Sequence, residues 1–405
     1  METGLPPLLR RINSELVLTE LRRYGPLRVT QVVERTGLSR PTVEGIADGL
    51  VADGWVTESM LDAGQRRGRP ARELAFRADA GAVLGVDIGV RRVNVLVSDL
   101  AGTIRGEVST ELDPQLQADE RVAATRAATT SALKAAGVPR ELLMGVTVGS
   151  PGIVDAAAGV VTKCAIIPGW SGLPLAATLQ RSFRCPVTVE NDANLAAVGE
   201  LWRGVAQGVH DLVFVLAGER LGAGIVVGDA VVRGYAGGAG EMGFTSLFEA
   251  DPGSEGIGAL ARVAGAQALQ HLLGRSDQAT SPSPLQELTA GDPLHVNAEV
   301  LFEAARQGDG LALEVMDRIL GTVARAIAVL VTVLNPEMVV IGGAVANAAE
   351  ALAGPVRQRL AEMTLLPTRL EASSLGHRSV ALGGVRHALV EARRSMSSST
   401  APGRR

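Results

Sequence analysis

The chain has 405 residues, of which 46% are hydrophobic and 20% charged, with a formal net charge of −4 and two cysteines. This composition is typical of globular domains and excludes a disordered chain, and two cysteines are too few for a disulfide framework or a thiolate zinc site. No apolar run approaches the length of a membrane-spanning helix. The N-terminal stretch does not have a signal-peptide pattern, which favours a cytoplasmic protein.

Residues 1–80 have the pattern of a DNA-binding domain. A first helix is predicted to begin at Asn13 or Ser14 and to end at Arg23. Thr30 is expected to cap a second, short helix that ends at Gly37. A short helix, a tight glycine turn and a longer helix have the spacing of a helix-turn-helix.

The third helix and the segment after it carry the candidate DNA contacts. Apolar residues recur at helical spacing after Ser39, and two short β-like stretches then enclose an arginine-rich connection that is typical of a wing. Short or forked polar side chains suit base edges, and arginine in an exposed tip suits the minor groove. The candidates on the helix are Ser39, Arg40, Thr42 and Glu44, and those on the wing are Arg66, Arg67 and Arg69. The alternative is a small helical subdomain for protein contact.

Residues 81–392 have the pattern of an α/β fold with two related lobes. A strand, a polar turn and a second strand at 83–100 are repeated at 211–227, with helices between them. Residues near 275–295 are expected to form a loop, and residues 393–405 a disordered tail. Helices are predicted at 120–136, 194–202, 257–273, 311–334 and 346–363.

Four stretches of this region have residue types that suit chemistry in a cleft. Asp87 precedes a glycine at a strand end, and the stretch 168–174 predicts a rigid loop with an aromatic face for a sugar ring. Amides and acids follow each other at 190–194, at a predicted strand-to-helix junction, although Asp192 or Asn194 there can also be only a helix cap. Glu241 lies in a glycine-rich loop that is expected to be flexible.

In combination these stretches resemble the ROK family of repressors and sugar kinases, in its regulator form with an N-terminal winged helix. The most specific match is the run Glu190-Asn191-Asp192-Ala193-Asn194, with Gly199-Glu200 behind it. The resemblance implies a winged helix-turn-helix followed by an actin/hexokinase-like two-lobed domain. It also implies that Asn191, Asp192 and Glu241 bind sugar hydroxyls, and that the position of Asp192 is that of the general base in kinase members.

The sequence departs from the kinase pattern at both phosphate loops. Val90 and Arg91 replace the glycine and threonine of the first loop, and Glu219 and Arg220 replace residues of the glycine-rich second loop. Phe244 stands where the family's zinc motif begins, and no cysteine follows it. We therefore predict no enzymatic activity, no catalytic residue, no metal and no cofactor.

The resulting hypothesis is a repressor of carbohydrate-metabolism genes whose operator binding is modulated by a sugar or sugar derivative. Its expected partners are double-stranded DNA with an inverted-repeat operator and a second copy of the chain, as a homodimer or homotetramer. One alternative is a bifunctional ATP-dependent sugar kinase that also binds DNA. Another is a regulator whose pocket no longer binds sugar.

Overall fold

The computed structural model describes residues 5–61, 71–217, 221–244, 257–274, 282–343 and 346–396. An N-terminal winged helix precedes two α/β lobes, each built on a five-stranded mixed sheet. Both parts of the predicted fold class are therefore present. The predicted boundary between residues 80 and 81 falls just before the first strand of the first lobe.

The winged helix contains three helices and a three-stranded antiparallel sheet. The third helix ends beside the sheet, and the outer two strands both pair with the last one. Val43, Ile46, Ala47 and Leu50 are buried, as their helical spacing predicts. The elements in chain order are α1 (Leu5–Tyr24), β1 (Leu27–Arg28), α2 (Val29–Thr36), α3 (Arg40–Ala52), β2 (Val56–Leu61) and β3 (Ala71–Phe76).

Two predicted helix starts in this domain are wrong. α1 begins at Leu5 rather than at Asn13 or Ser14, because the prolines that follow Leu5 lie in the first turn, where a helix needs no amide donors from them. α2 begins at Val29 with Arg28 at its N-cap, and the Gln31 side chain accepts a hydrogen bond from the Arg28 backbone amide at 2.9 Å. Thr30 is therefore inside the helix.

The elements of the first lobe are β4 (Ala82–Ile88), β5 (Arg92–Asp99), β6 (Ile104–Glu111), α4 (Ala118–Ala136), β7 (Leu143–Ser150), β8 (Ile153–Asp155), β9 (Val160–Lys163), α5 (Leu175–Phe183) and β10 (Val187–Asn191). Its sheet has the order β10-β7-β4-β5-β6, in which β10, β7 and β4 run parallel and β4, β5 and β6 are antiparallel.

The elements of the second lobe are α6 (Asp192–Arg203), β11 (Leu212–Ala217), β12 (Leu221–Val227), β13 (Ala230–Val231), α7 (Ile257–Gly274), α8 (Pro284–Leu288), α9 (Ala298–Arg306), α10 (Gly310–Leu334), β14 (Met338–Gly342), α11 (Ala346–Met363) and β15 (Arg369–Ala372). Its sheet repeats the arrangement of the first with the order β13-β12-β11-β14-β15, which confirms the repeat seen in the sequence. The region expected to be a loop near 275–295 contains the short helix α8, which is capped by Ser283.

The last helix, α12 (Ser379–Met396), joins the three parts of the molecule. It packs on α6 and on β4 and β7 of the first sheet. Toward its C-terminal end, Leu389, Ala392 and Met396 share one apolar core with Val17 and Leu21 of α1. Residues 393–396 therefore belong to a packed helix rather than to the predicted disordered tail, and the rest of that tail lies outside the described residues.

Among the described helices, none combines the length and the apolar character that a bilayer span requires. The long helix α10 is the most apolar in sequence, but one of its faces packs into the core of the second lobe, with Val323, Ile327 and Val331 buried.

Candidate ligand site and DNA-binding surface

A cavity of about 730 Å³ lies between the two lobes. The first lobe contributes the ends of β4 and β10, the second contributes the loop with Glu241, and the start of α12 closes one side with Ser379 and Val380. A volume of this size suits a small organic ligand. All three residues predicted to contact sugar line this cavity, namely Asn191, Asp192 and Glu241.

Asn191 has two roles at the end of β10. Its side-chain oxygen caps α6 by accepting a hydrogen bond from the Asn194 backbone amide at 3.1 Å. Its side-chain nitrogen donates to the Gly152 carbonyl at 3.1 Å and to Glu241 Oε1 at 3.3 Å. The cap fixes the side chain, so the amide and the Glu241 carboxylate are held side by side at the cavity wall.

Asp192 follows as the first residue of α6 and faces a second carboxylate, that of Asp87. Burial raises the pKa of Asp192 well above its usual value, and the charges of Asp87 and Glu241 raise it further. Burial also raises the pKa of Asp87 to about 6, although a hydrogen bond from the Asn94 side chain at 3.0 Å opposes that shift. The site therefore offers two carboxyl groups that take up a proton at a higher pH than exposed carboxyl groups do.

The glycine-rich loop that presents Glu241 is closely packed rather than free. Gly237 and Gly240 have positive φ angles, and a Cβ at either position would collide with a backbone carbonyl, that of Val154 or of Ala223. The Ala223 amide also donates to the Gly240 carbonyl at 2.8 Å. These glycines place the loop against both lobes, so Glu241 is presented from a fixed position.

The prediction of an aromatic face for a sugar ring is wrong. Trp170 is fully buried, and its indole nitrogen donates to the Ser150 hydroxyl at 2.9 Å. The cavity wall near this loop is formed instead by Cys164, Ala165 and Ile166. Trp170 packs in the core of the first lobe, where it supports that wall from behind.

Sequence reasoning missed Arg121, a fully buried arginine of α4. It donates to the carbonyl oxygens of Gly89 at 2.6 Å and of Val90 at 2.9 Å, in the turn between β4 and β5. That turn also places the exposed Arg91 and Arg92 at the edge of the cavity. No local pattern indicates the role, because a lone arginine on a helix is most often exposed.

Sequence reasoning also missed Arg233, which donates to Glu190 at 2.6 Å. The other oxygen of Glu190 accepts from the Asn191 backbone amide and from the Asn194 side chain. Glu190, which opens the run 190–194, thus holds the strand-to-helix junction together. Its carboxylate is nearly fully buried and fully engaged, so it serves the geometry of Asn191 and Asp192.

The candidate DNA-contacting residues lie at the cap and in the first turns of α3, where Ser39 and Arg40 are exposed and Thr42 and Glu44 are half-buried. Ser39 caps the helix, and its hydroxyl lies 2.7 Å from that of Thr42. Arg40 donates to Glu44 at 2.9 Å in an exposed ion pair. The wing candidates Arg66, Arg67 and Arg69 lie outside the described residues, as do Glu219 and Arg220 of the second phosphate loop.

Within the described ranges, no three or more histidine, cysteine or acidic side chains are grouped as a metal site. Cys164 and Cys185 are both buried, and neither belongs to a disulfide. Burial raises the pKa of Cys185 to about 11, which makes its thiol a poor nucleophile.

Comparison with known proteins shows the family. Residues 83–390 match the model of the ROK family, and residues 16–68 match that of the MarR family. Because the first match covers most of the chain, this protein belongs to the ROK family, with a MarR-type winged helix at its N-terminus.

Relatives of both kinds known in the family resemble this chain. The xylose repressor of Caldicellulosiruptor bescii is 28% identical over 392 residues, which cover 94% of this chain and 96% of that protein. The glucokinase of Thermotoga maritima is 35% identical over 221 residues, which cover 54% of this chain and 69% of that protein. A crystal structure of a ROK family transcriptional regulator, a homolog of the E. coli Mlc protein, matches with a TM-score of 0.73 at 23% identity, over 96% of this chain and 99% of that one.

Proposed function

We propose that this protein is a transcriptional repressor that responds to a sugar or a sugar derivative. The observation that carries the proposal is that one chain joins a winged helix to a cavity with a fixed amide and carboxylates at its wall. The match to the xylose repressor supports it, because that match extends over both parts of the chain. Sugar responsiveness requires the cavity and the winged helix to be coupled.

Recognition of DNA would follow the usual geometry of a winged helix. The start of α3 enters the major groove, where Ser39, Arg40, Thr42 and Glu44 meet base edges and phosphates. The wing arginines Arg66, Arg67 and Arg69 enter the adjacent minor groove, whose negative potential favours them. A homodimer or homotetramer would bind an inverted repeat, with one winged helix on each half-site.

Recognition of the ligand would rely on Asn191, Asp192 and Glu241. Carboxylates and amides accept and donate hydrogen bonds from fixed positions, which suits neighbouring hydroxyl groups of a sugar ring. An analogue that lacks a matching hydroxyl would leave a polar group of the wall without its hydrogen bond to the ligand, and would therefore bind less tightly. The wall at Cys164 and Ile166 adds apolar contact on one side of the ring.

Kinase chemistry is not part of the proposal. Val90 adds a branched side chain to the first phosphate loop, and Arg220 replaces a glycine in the second. Glu219 also adds a negative charge that would face the phosphates of ATP. The carboxyl of Asp192 then contributes to binding, and no phosphoryl transfer depends on it.

The helix α12 supplies a physical route from the cavity to the DNA. Its first residues line the cavity, and Gly383 lies directly against the Leu195 carbonyl of α6, the helix that begins with Asp192. Gly85 of β4 lies equally close to the Ala381 carbonyl. With no side chains between these backbones, a ligand-driven shift of α6 or β4 moves α12, whose other end belongs to the core of the winged helix.

A titration of the full-length protein tests the function. Thermal unfolding is measured with a panel of monosaccharides, their phosphates and Mg-ATP, because a ligand of the native state raises Tm by mass action. Operator affinity is then measured with and without each sugar that raises Tm. We expect at least one such sugar to change operator affinity tenfold or more, with no ATP turnover.

The variant Asp192→Asn separates the two halves of the proposal. We expect it to bind the operator as the wild type does while losing the response to sugar. The proposal would be contradicted if Asp192→Asn bound the sugar as the wild type does. ATP turnover by the wild type would also contradict it. The matched control is Glu299→Gln, which removes another carboxylate at the edge of the same cavity.

A further inference from the structure

The helix α1 has apolar residues on two opposite faces. On one face, Val17, Leu18 and Leu21 are buried in the core of the winged helix. On the other, four large aliphatic side chains are exposed. We call them the outer stripe, and they are Leu8 (44% exposed), Leu9 (53%), Ile12 (51%) and Leu16 (37%). An α-helix turns once in 3.6 residues, so this spacing puts all four on the side opposite the core.

When a helix is apolar on two faces and one of them packs in the core of its own domain, the other face needs a partner to cover it. The outer stripe is aliphatic throughout and carries no hydrogen-bonding group, so it fits another apolar helix rather than DNA. We propose that its partner is the outer stripe of a second copy of this chain, packed antiparallel about a two-fold axis at Ile12. The proposal rests on the proposed function only in that the pair would set the spacing of two winged helices.

The positions along α1 suit a two-fold axis at Ile12. Leu8 and Leu16 lie four residues before and after it, so an antiparallel copy brings Leu8 against the partner's Leu16 and Ile12 against the partner's Ile12. Interfaces of two-fold dimers are self-complementary in this way. A parallel copy would align each leucine with itself and would need a different axis.

The charges beside the stripe favour the same arrangement. Arg11 and Glu15 are both exposed and lie one turn apart along one flank of the stripe. In an antiparallel pair with two-fold symmetry each flank meets its own copy, so Arg11 lies near the partner's Glu15 and Glu15 near the partner's Arg11. Opposite charges at such flanking positions select the orientation of paired helices.

Four side chains form a small interface. Stable interfaces bury on the order of 1,200 Å² or more in total, so the stripe would act together with another contact between the two copies. Its effect is on geometry, because pairing of α1 fixes the distance between the two α3 helices. Arg10 of α1 extends over Gly49 of α3, which connects the two helices directly.

Cysteine cross-linking of the full-length protein tests the pairing. Ile12→Cys lies on the proposed axis and should form a disulfide-linked dimer on mild oxidation, at a rate at least tenfold above that of Asn13→Cys. Asn13 is the matched control because it is the next residue on α1 and points about a quarter turn away from the stripe. Both native cysteines are buried and do not compete.

The register has its own test. A mixture of Leu8→Cys and Leu16→Cys proteins should cross-link between the two variants, while each variant alone should not cross-link. Self-linking of Leu8→Cys as fast as that of Ile12→Cys would overturn the antiparallel register. Equal rates for Ile12→Cys and Asn13→Cys would overturn the interface itself.

Because the cross-link is measured without sugar or operator, its failure leaves the proposed function standing. Ile12→Glu then reports the consequence for DNA: affinity for a two-half-site operator should fall at least tenfold, while affinity for a single half-site stays unchanged. An equal loss on both DNAs would instead mean that the substitution damages the winged helix, and the proposal would fail.

Discussion

The side-chain nitrogen of Asn191 lies 3.3 Å from Glu241 Oε1. This hydrogen bond joins two residues that are 50 positions apart in the chain and belong to different lobes, and it lies at the cavity wall. A ligand that hydrogen-bonds to both groups therefore touches both lobes at once, which is what a closure of the cleft requires. The same contact places a negative charge beside Asp192.

Glu241→Gln should weaken binding of the effector sugar about tenfold, which corresponds to the loss of one charge-assisted hydrogen bond of about 1.4 kcal/mol. The amide keeps the shape of the side chain and its contact with Asn191. Isothermal titration with the sugar that raises Tm measures the change. An unchanged affinity would mean that Glu241 has a structural role only.

Asp87→Asn should stabilise the protein at high pH. The folded pKa of about 6 lies above the unfolded value of 3.8, so the folded state holds the proton more tightly and stability falls as pH rises from about 4 through 6. The asparagine cannot ionise, so we expect a gain of about 1–2 kcal/mol at pH 8, allowing for residual solvent contact.

Urea unfolding at pH 4, 6 and 8 measures the effect of Asp87→Asn, which should vanish at the lowest pH. Glu111→Gln on the exposed edge strand β6 is the control and should show no such dependence. A constant difference at all three pH values would refute the assignment to ionisation of Asp87.

Arg121→Met should destabilise the protein by about 2–4 kcal/mol, because it leaves the carbonyls of Gly89 and Val90 without their buried donor. The methionine retains much of the apolar stem, so most of the loss reports the hydrogen bonds. Chemical denaturation compares it with Lys134→Met at an exposed position of the same helix. A loss equal to that of the control would show that the turn between β4 and β5 does not need Arg121.

Glu44→Gln should raise the affinity for non-operator DNA several-fold. It removes a negative charge from α3 and frees Arg40, which now pairs with Glu44 at 2.9 Å, to meet a phosphate. The slope of log affinity against log salt should steepen by up to about the amount that one phosphate contact contributes. Fluorescence anisotropy measures both, with Asp79→Asn beyond the wing as the control, and a weaker affinity would show that Glu44 itself accepts a hydrogen bond from DNA.

Arg69→Ala should weaken DNA binding for all sequences, because the wing arginine inserts into the minor groove regardless of sequence. The slope of log affinity against log salt should flatten by about the contribution of one released counterion. Arg306→Ala on α9, far along the chain from the winged helix, serves as the control. An unchanged salt slope would argue against a wing contact at this position.

Local signals in the sequence predicted much of the fold. The cap at Ser39, the apolar spacing after it and the repeated strand pairs depend on residues close together in the chain, and the structure confirms them. The helix start at Leu5 was missed because Asn13 and Ser14 are typical N-cap residues, whereas the helix begins earlier, with two prolines in its first turn, where proline is tolerated.

By itself the sequence determined the order of the elements and, through the run 190–194, the place of the candidate site. Only the tertiary structure decided which side chains are available there: it buries Trp170, lets Arg121 hold a turn from another element, and brings Glu241 to Asn191. It also places the end of α12 in the core of the winged helix. The physical reason is that caps and periodicity depend on neighbours in the chain, whereas burial, desolvation and the pairing of distant groups depend on neighbours in space.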